Sequence, residues 1–413
     1  MVEPDTIMIS RRKLLKRLSS LPVVGGMVTG GLLSGNVAAA KSTPKRDYYG
    51  ELGVRTCINA AGAYTTLTGC LMPQEVVDAY AAVSDEFVSL NELHDAVGKK
   101  IAGLVGCEAA MVSAGASSAM TLATAGVLTG TDEDKAKRIP VDLSGMKNEV
   151  IVQKEHIVGY SHAIINCGVK LVIVESRQEL LNAINENTAM LYFTDEHNFD
   201  GPVKDEEFVR IGKEHDIPTL NDAAASIPPK GSLSKYTDMG FDLVAISGGK
   251  AIRGAQSTGL LLGRADLIKA ARFNAPPSSD RIGRGMKVNK EELVSMWIAL
   301  ERFMEMDMDA EYKRWQTQIA WLEETISSVK AVKAESYIPQ RPNNVPTLKL
   351  SWDRAQIPAS GFDIQTALRA GTPSVEIART HEGGFNITTW MLKPEQLEIV
   401  ANRVKEELQK ARV

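Results

Sequence analysis

The chain has 413 residues, far more than one small core needs, so a large domain with a smaller satellite is the natural expectation. Its hydrophobic fraction of 44% and charged fraction of 24% are ordinary for a globular protein. A net charge of -4 and a pI near 6.0 leave no evident basic surface of the kind phosphate backbones require, which argues against nucleic acid as the main partner.

The first forty residues read as a separate object. Ser10-Arg11-Arg12-Lys13-Leu14-Leu15-Lys16 closely resembles a twin-arginine export signal. A mildly apolar, Gly-rich run over residues 18–33 follows, and then Ala38-Ala39-Ala40 offers small residues for cleavage. The run is Gly-broken and short for a membrane span. A basic start to a buried helix would use the same letters. Residues 1–40 are set aside as a signal peptide, with a periplasmic destination and membrane contact only through the export machinery. Removing their five basic and two acidic residues takes the charge from -4 to -7. Twin-arginine export moves folded proteins, often because a cofactor must be inserted first, and no cysteine at the cleavage point invites a lipid anchor. Cys57, Cys70, Cys107 and Cys167 form no CxxC pair and no zinc-like spacing, so no metal site is expected. Buried thiols are preferred to a disulfide, which a periplasmic location would still permit.

From residue 74 onward helix-patterned segments alternate with short β-rich runs at 149–153, 170–174, 189–194, 217–221, 243–247 and 259–263. A helix over 205–215 separates two of them. Such alternation predicts an α/β domain with a largely parallel sheet. Residues 291–329 read as one long helical region broken near Asp307. A strand at 347–352, a helix at 363–370, a hairpin around Glu382-Gly383-Gly384 and a final helix after Pro394 then make a small α+β domain. The expected divisions are a segment 41–74, a large domain 75–300 and a small domain 301–413. Met304, Met306 and Met308 could suggest copper, but at 100° per residue only Met304 and Met308 share a helix face, and core filling is preferred.

Three segments carry chemistry. In 241–250 an apolar strand ends in Ser247-Gly248-Gly249 and then presents Lys250. A lysine held there away from bulk water is disfavoured as an ammonium, which suits a Schiff-base amine; a lysine that snorkels outward fits the same letters. In 217–225 a strand ends in Asp222, followed by Ala223, Ala224 and Ala225. A carboxylate there can hold a pyridine nitrogen protonated while a small side chain lets a flat ring approach, or it can simply cap a helix. In 109–119 a strand passes through Ser113, Gly115, Ala116 and Ser117 into a helix, whose free N–H groups suit a phosphate; an unliganded cap reads the same way.

Phosphate turn, then Asp, then Lys after a strand resembles the order in fold-type-I pyridoxal-phosphate (PLP) enzymes. Ile58-Asn59-Ala60-Ala61-Gly62, Leu90-Asn91-Glu92-Leu93, residues 104–110, Ser247-Gly248-Gly249-Lys250 and residues 254–259 are similar to the selenocysteine synthase (L-seryl-tRNA selenium transferase)-like branch. That resemblance implies an aspartate-aminotransferase-like large domain, PLP as cofactor and Lys250 as the Schiff-base lysine. It further implies Asp222 as pyridinium partner, Ala224 beneath the ring, Ser247 among the cofactor contacts and Ser113, Gly115, Ala116 and Ser117 as the phosphate loop. His156 falls where related enzymes stack an aromatic ring and could also move a proton; a hydrogen-bonded loop histidine is the alternative. Asn198 resembles the residue facing the cofactor's phenolic oxygen, and Arg379 lies where such enzymes bind a substrate carboxylate; a turn asparagine and a surface ion pair are the bland alternatives.

Two departures steer the expectation away from tRNA. Only the signal and a short tail precede Ile58, where the tRNA enzymes carry an RNA-binding domain, and Ser-Ala-Gly-Ala-Ser-Ser replaces their Asn-rich turn. The chain looks more like small-substrate relatives such as D-glucosaminate-6-phosphate ammonia-lyase. The expected activity is a PLP-dependent lyase on a small hydroxylated amino acid or amino-sugar acid, in a homodimer or larger symmetric assembly. A racemase or epimerase, a selenium-transferase-like enzyme and a non-catalytic exported binding protein are the alternatives.

Overall fold

The computed structural model describes residues 46–413. The expected export signal lies outside the described residues. Residues 46–54 belong to a unit of their own, in which Asp47 caps a one-turn helix, Tyr48–Glu51, and Arg46 pairs with Glu51. Residues 55–413 form the second unit.

This unit begins with a short strand, β1 (Cys57–Asn59). Seven strands then build the main sheet: β2 (Ala109–Ser113), β3 (Glu149–Gln153), β4 (Lys170–Val174), β5 (Thr188–Thr194), β6 (Thr219–Asp222), β7 (Leu243–Ser247) and β8 (Gly259–Gly263). Their order is β2-β8-β7-β6-β5-β3-β4. Every neighbouring pair is parallel except the two that involve β8. Only residues 248–258 join β7 to β8, with no crossover helix, so β8 must return antiparallel. All the other strands therefore point their carboxyl ends the same way.

Both faces of the sheet are covered, which explains why β5 is buried at every position and reads as an unbroken apolar run. In β8, Leu260 and Leu262 face one core beneath helices Leu90–Val105 and Lys290–Glu305, while Leu261 faces the other beneath Gly115–Thr129 and Ala265–Phe273. The expected strand over 217–221 starts later, at Thr219. Pro218 has no N–H to give, and the Ile217 N–H donates to Gly212 O at 2.9 Å instead. Asp222 is the last residue of β6.

The long helical region breaks where expected: Lys290–Glu305 is followed by Met308–Ser327, with Asp307 as N-cap accepting from Ala310 N at 3.0 Å. Met304, Met306 and Met308 are half-buried against the core. The small domain adds β9 (Val332–Tyr337), β10 (Thr347–Trp352), β11 (Ser374–Glu376), β12 (Ala378–His381) and β13 (Gly384–Thr388). Four of these form an antiparallel sheet ordered β12-β13-β10-β9, and β11 pairs in parallel with β1. Ile319, Leu322, Leu350, Phe385, Val400 and Val404 lie in the core of this domain. All four cysteines are free; Cys167 is buried, whereas Cys57 at the start of β1 is exposed, contrary to the buried-thiol expectation. Among the described residues no helix is long and apolar enough to cross a membrane.

Helix Gly115–Thr129 lies close against Ala265–Phe273 because position 126 has no side chain: a Cβ there would stand 2.7 Å from Ala271 N and 3.0 Å from Ala270 C. Gly126→Val should lower the unfolding free energy by about 1–3 kcal/mol, seen as a reduced urea midpoint with an unchanged slope.

Candidate active site

The carboxyl ends of the parallel strands bring the predicted residues to one edge of the sheet, the place where open α/β sheets bind ligands. Ser113 and Ser247 are both in register with Gly259, while Thr194 and Ala245 flank Asp222. Lys250 follows β7 through two glycines that cannot be replaced without a clash. A Cβ on Gly248 would lie 2.5 Å from Thr258 Oγ1, and one on Gly249 would lie 2.5 Å from Gln256 Cα.

Lys250 lines two adjoining chambers, together with Tyr160, Glu196, Ala225 and Pro342. The inner chamber, about 160 Å³, also has Asp195, Asp222, Ala224 and Ser226 in its wall. Tyr64, Tyr337, Asn343, Arg379, Thr388 and Trp390 help line the outer one, about 240 Å³. Burial lowers the pKa of Lys250, opposed by the carboxylates of Asp222 and Glu196. Asp222 is pushed up to about 6 by burial, against the Ala224 N–H that donates to Oδ1 at 3.1 Å and the nearby Lys250 charge. An amine that gives up its proton easily thus stands beside a carboxylate that does not shed its own easily.

Arg379 reaches the outer chamber from a strained position. Its φ is +45°, at an irregularity in the β12–β13 pairing between Ala378 and His381. Among the described residues no carboxylate forms an ion pair with it, so its guanidinium is available to an anionic ligand.

Ser113, Gly115, Ala116 and Ser117 lie beyond the walls of these two chambers, two strands away from β7. Ser113 Oγ donates to Gly115 O at 3.0 Å, Gly115 has φ +84°, and Ala114 offers no side-chain cap, which leaves the first N–H groups of helix Gly115–Thr129 without an intrahelical or side-chain partner. Gly259 lets this turn approach the sheet, since a Cβ there would stand 2.3 Å from Gly115 C.

His156 and Asn198 are placed elsewhere. The His156 ring is buried outside both chambers, 4.3 Å from the Phe193 ring centroid. Its Nδ1 accepts from Thr194 N at 2.9 Å, and Gln153 Nε2 lies 3.3 Å from its Nε2. The aromatic ring that does line both chambers belongs to Tyr160, which is 65% exposed. Asn198 Oδ1 accepts from Asp205 N at 3.0 Å and serves the start of helix Asp205–Glu214, which lacks a side-chain cap of its own.

Asp195, Glu196, Tyr160 and Arg341 escaped sequence reasoning. Asp195 and Glu196 directly follow β5, and the strand-end rule that singled out Asp222 would have found them. Arg341 comes from the 338–346 segment, whose distance from β5 in the sequence hides its place. Among the described residues, three buried oxygens in these chamber walls have no partner: Asp195 Oδ1, Asn343 Oδ1 and Thr388 Oγ1. Buried polar atoms are rarely left so, and a polar ligand would satisfy them. A poised amine, a ring-nitrogen carboxylate and an open helix start are the donor set that an aldehyde-bearing pyridine phosphate requires, so the residues present fit PLP.

The fold is the aspartate-aminotransferase-like one of fold-type-I, PLP-dependent enzymes. Over most of its length the chain is similar to D-glucosaminate-6-phosphate ammonia lyase of Salmonella typhimurium (strain 14028s / SGSC 2262), with 26% identity over 376 residues, 87% of this chain and 97% of that protein. A solved D-glucosaminate-6-phosphate ammonia-lyase superposes with a TM-score of 0.77 at 26% identity, covering 89% of this chain and 99% of the other. A 5'-C-glycyluridine monooxygenase-decarboxylase of a Streptomyces species is 28% identical over 375 residues, 87% of this chain and 91% of that one. The family model described as L-seryl-tRNA selenium transferase matches residues 164–366.

The placement of His156 has a pH signature. Burial pushes its pKa down to about 4, so in the folded protein the ring stays neutral where the unfolded chain, with a value near 6.5, binds a proton. Its contribution is fully present above about pH 6.5 and is lost as pH falls toward 4, with a slope of up to about 1.4 kcal/mol per pH unit. Urea unfolding between pH 4.5 and 7 should show a shallower pH dependence for His156→Gln than for the unchanged protein, and equal slopes would refute the assignment.

Proposed function

We propose that this chain is a PLP-dependent lyase that removes ammonia from a small hydroxylated amino acid or amino-sugar acid. The observation that carries this reading is that Lys250 lines two adjoining chambers, the inner one shared with the buried Asp222 and the outer one with Arg379, which has no carboxylate partner among the described residues. Similarity at 26–28% identity along most of the chain to enzymes that include an ammonia lyase supports the choice of reaction.

When bound, PLP supplies an electron sink for a carbanion at the substrate's α-carbon. Lys250 would hold the cofactor, and its free Nζ would take the substrate's α-proton. Asp222 would keep a proton at the ring nitrogen, the start of helix Gly115–Thr129 would bind the phosphate, and Ala224 would leave room for the ring. Arg379 orients the substrate carboxylate through paired N–H donors. Loss of the β-hydroxyl as water, followed by addition of water and release of ammonia, balances to a 2-keto acid and ammonia. Tyr64, Tyr337, Asn343 and Thr388 give the outer chamber the neutral hydroxyl and amide groups that a hydroxylated chain would engage. Export by the twin-arginine route, supported by residues 10–16, and a symmetric assembly, supported by fold analogy, belong to the same proposal.

Borohydride reduction and peptide mapping should recover the cofactor on Lys250, and Lys250→Ala should lose both the cofactor absorbance and at least 10²-fold of the activity. Ammonia release and chiral analysis across a panel of D- and L-hydroxyamino acids test the reaction; racemised substrate without ammonia would overturn the lyase. Arg379→Gln should reduce kcat/KM by about tenfold to a hundredfold, measured against a carboxylate-bearing substrate.

A further inference from the structure

In β10 and β13 the side chains alternate between two faces. Leu348, Leu350, Phe385 and Ile387 enter the core of the small domain, whereas Thr347, Asn386 and Thr388 lie on the other face and line the outer chamber. The pairing register sets Thr347 between Thr388 and Tyr337, which lines the same chamber. This face is polar although Thr347, Asn386 and Thr388 are all buried. Two of its groups are satisfied within the protein: Thr347 Oγ1 donates to Val345 O at 3.0 Å, and Asn386 Nδ2 donates to the Tyr337 hydroxyl at 2.9 Å. Thr388 is only 7% exposed, yet its Oγ1 has no partner among the described residues. Neither has Asn343 Oδ1, in a residue whose backbone is pinned by its N–H donating to Ala225 O at 2.9 Å. Gly62 keeps the way to Thr388 clear, since a Cβ there would stand 3.7 Å from Thr388 Oγ1 and 3.2 Å from Trp390 Nε1.

The hydrogen-bonding roles of these atoms select a ligand chemistry. Asn343 Oδ1 can only accept. The Tyr337 oxygen already accepts from Asn386, so its own hydrogen is left to donate. Thr388 Oγ1 can do either. A neutral hydroxyl both donates and accepts, and so answers all three. A phosphate or carboxylate would set its lone pairs against Asn343 Oδ1, and an ammonium could take nothing from Tyr337. Among the described residues the cations that line this chamber are Lys250 and Arg379, which the proposed reaction commits to the α-carbon and to the substrate carboxylate.

We infer that the substrate carries an unphosphorylated, polyhydroxylated chain, and that Thr388 Oγ1 and Asn343 Oδ1 determine specificity by binding its hydroxyls beyond the β-carbon, with Tyr337 as a further donor. This rests on the reading that Arg379 holds the substrate carboxylate, and narrows it from hydroxylated amino acids in general to the longer ones. A serine-sized substrate would reach the chemistry at Lys250 and leave both oxygens bare. A site whose buried polar groups are left unpaired discriminates strongly against the shorter ligand. The chain is bound here through neutral groups, in contrast to the 6-phosphate in the name of the similar ammonia lyase.

Aldonic acids keep the carboxylate and the hydroxylated chain but lack the amine, so titration calorimetry can follow their binding to the holoenzyme without turnover. The tightest of D-gluconate, D-mannonate and D-galactonate should bind at least about tenfold more tightly than glycerate. Thr388→Val keeps the shape and removes the hydroxyl; it should erase about tenfold of that advantage and leave the glycerate Kd unchanged. Thr388→Ser should restore the advantage, and Asn343→Ala should act like Thr388→Val. The 6-phosphate of the same aldonate should gain nothing over the parent acid, and a gain of about tenfold overturns the neutral chain. If Thr388→Val does not fold, Asn343→Ala decides alone: a reduced advantage supports the subsite and an unchanged one overturns it. Aldonates that bind no more tightly than glycerate overturn the subsite, and loss of both in Arg379→Gln then leaves the carboxylate reading standing. Wild-type protein that binds neither acid defeats that reading, and the subsite with it.

Discussion

Burial acts on Lys250 and Asp222 in opposite senses, and the chamber depends on the balance between them. Away from water the amine is driven toward its neutral form and so is the carboxylic acid, while each ion favours the other. A chamber open enough to solvate both would leave Lys250 an ordinary ammonium. A drier one, without Asp222, would leave nothing to hold a proton on a pyridine nitrogen. Gly248 and Gly249 take Lys250 round a turn too tight for side chains, and β6 ends at Asp222. Both details look minor locally and together decide that the two groups share one space.

The sheet could be read from the sequence because its signals are local. Apolar runs such as Leu243–Ser247 and Gly259–Gly263 match the observed strands; Asp222 is legible as the last residue of a strand and Lys250 as the residue two glycines beyond one. Where the signal was not local, the reading stopped. β9 has the sequence Val-Lys-Ala-Glu-Ser-Tyr, in which only Val332 and Ala334 are half-buried against the core, too short an alternation to mark a strand. Arg341 and Asn343 belong to the small domain and reach chambers whose floor is made by β5 and β6, a relation of tertiary packing alone. His156 illustrates the reverse case. Its position on a strand-to-helix turn suggested a ring over the cofactor, but Gln153 and the Thr194 N–H draw its nitrogens inward, and a Cβ on Gly201 would lie 2.5 Å from its Nε2. The residue type was legible and its direction was not.

The chambers are built from parts with unequal freedom. Their floor consists of strand ends in a sheet packed on both faces, whereas their outer wall comes from residues 61–65, the 338–346 segment and the ends of β12 and β13. The buried pair of Arg341 and Asp195 ties the 338–346 segment of that wall, the connection between β9 and β10, to the floor. A pair so buried adds little net stability over an apolar alternative. What it supplies is a fixed relation between the 338–346 segment and a carboxylate in the inner chamber's wall.

Arg379 carries a further implication. A left-handed backbone at a residue with a long side chain costs of order 1–3 kcal/mol, which glycine would recover. The chain nevertheless places there an arginine whose charge no carboxylate among the described residues neutralises. Selection for thermal robustness alone would empty this position of its side chain. Arginine in this backbone makes the outer chamber a place where folding energy is exchanged for the capacity to hold an anion.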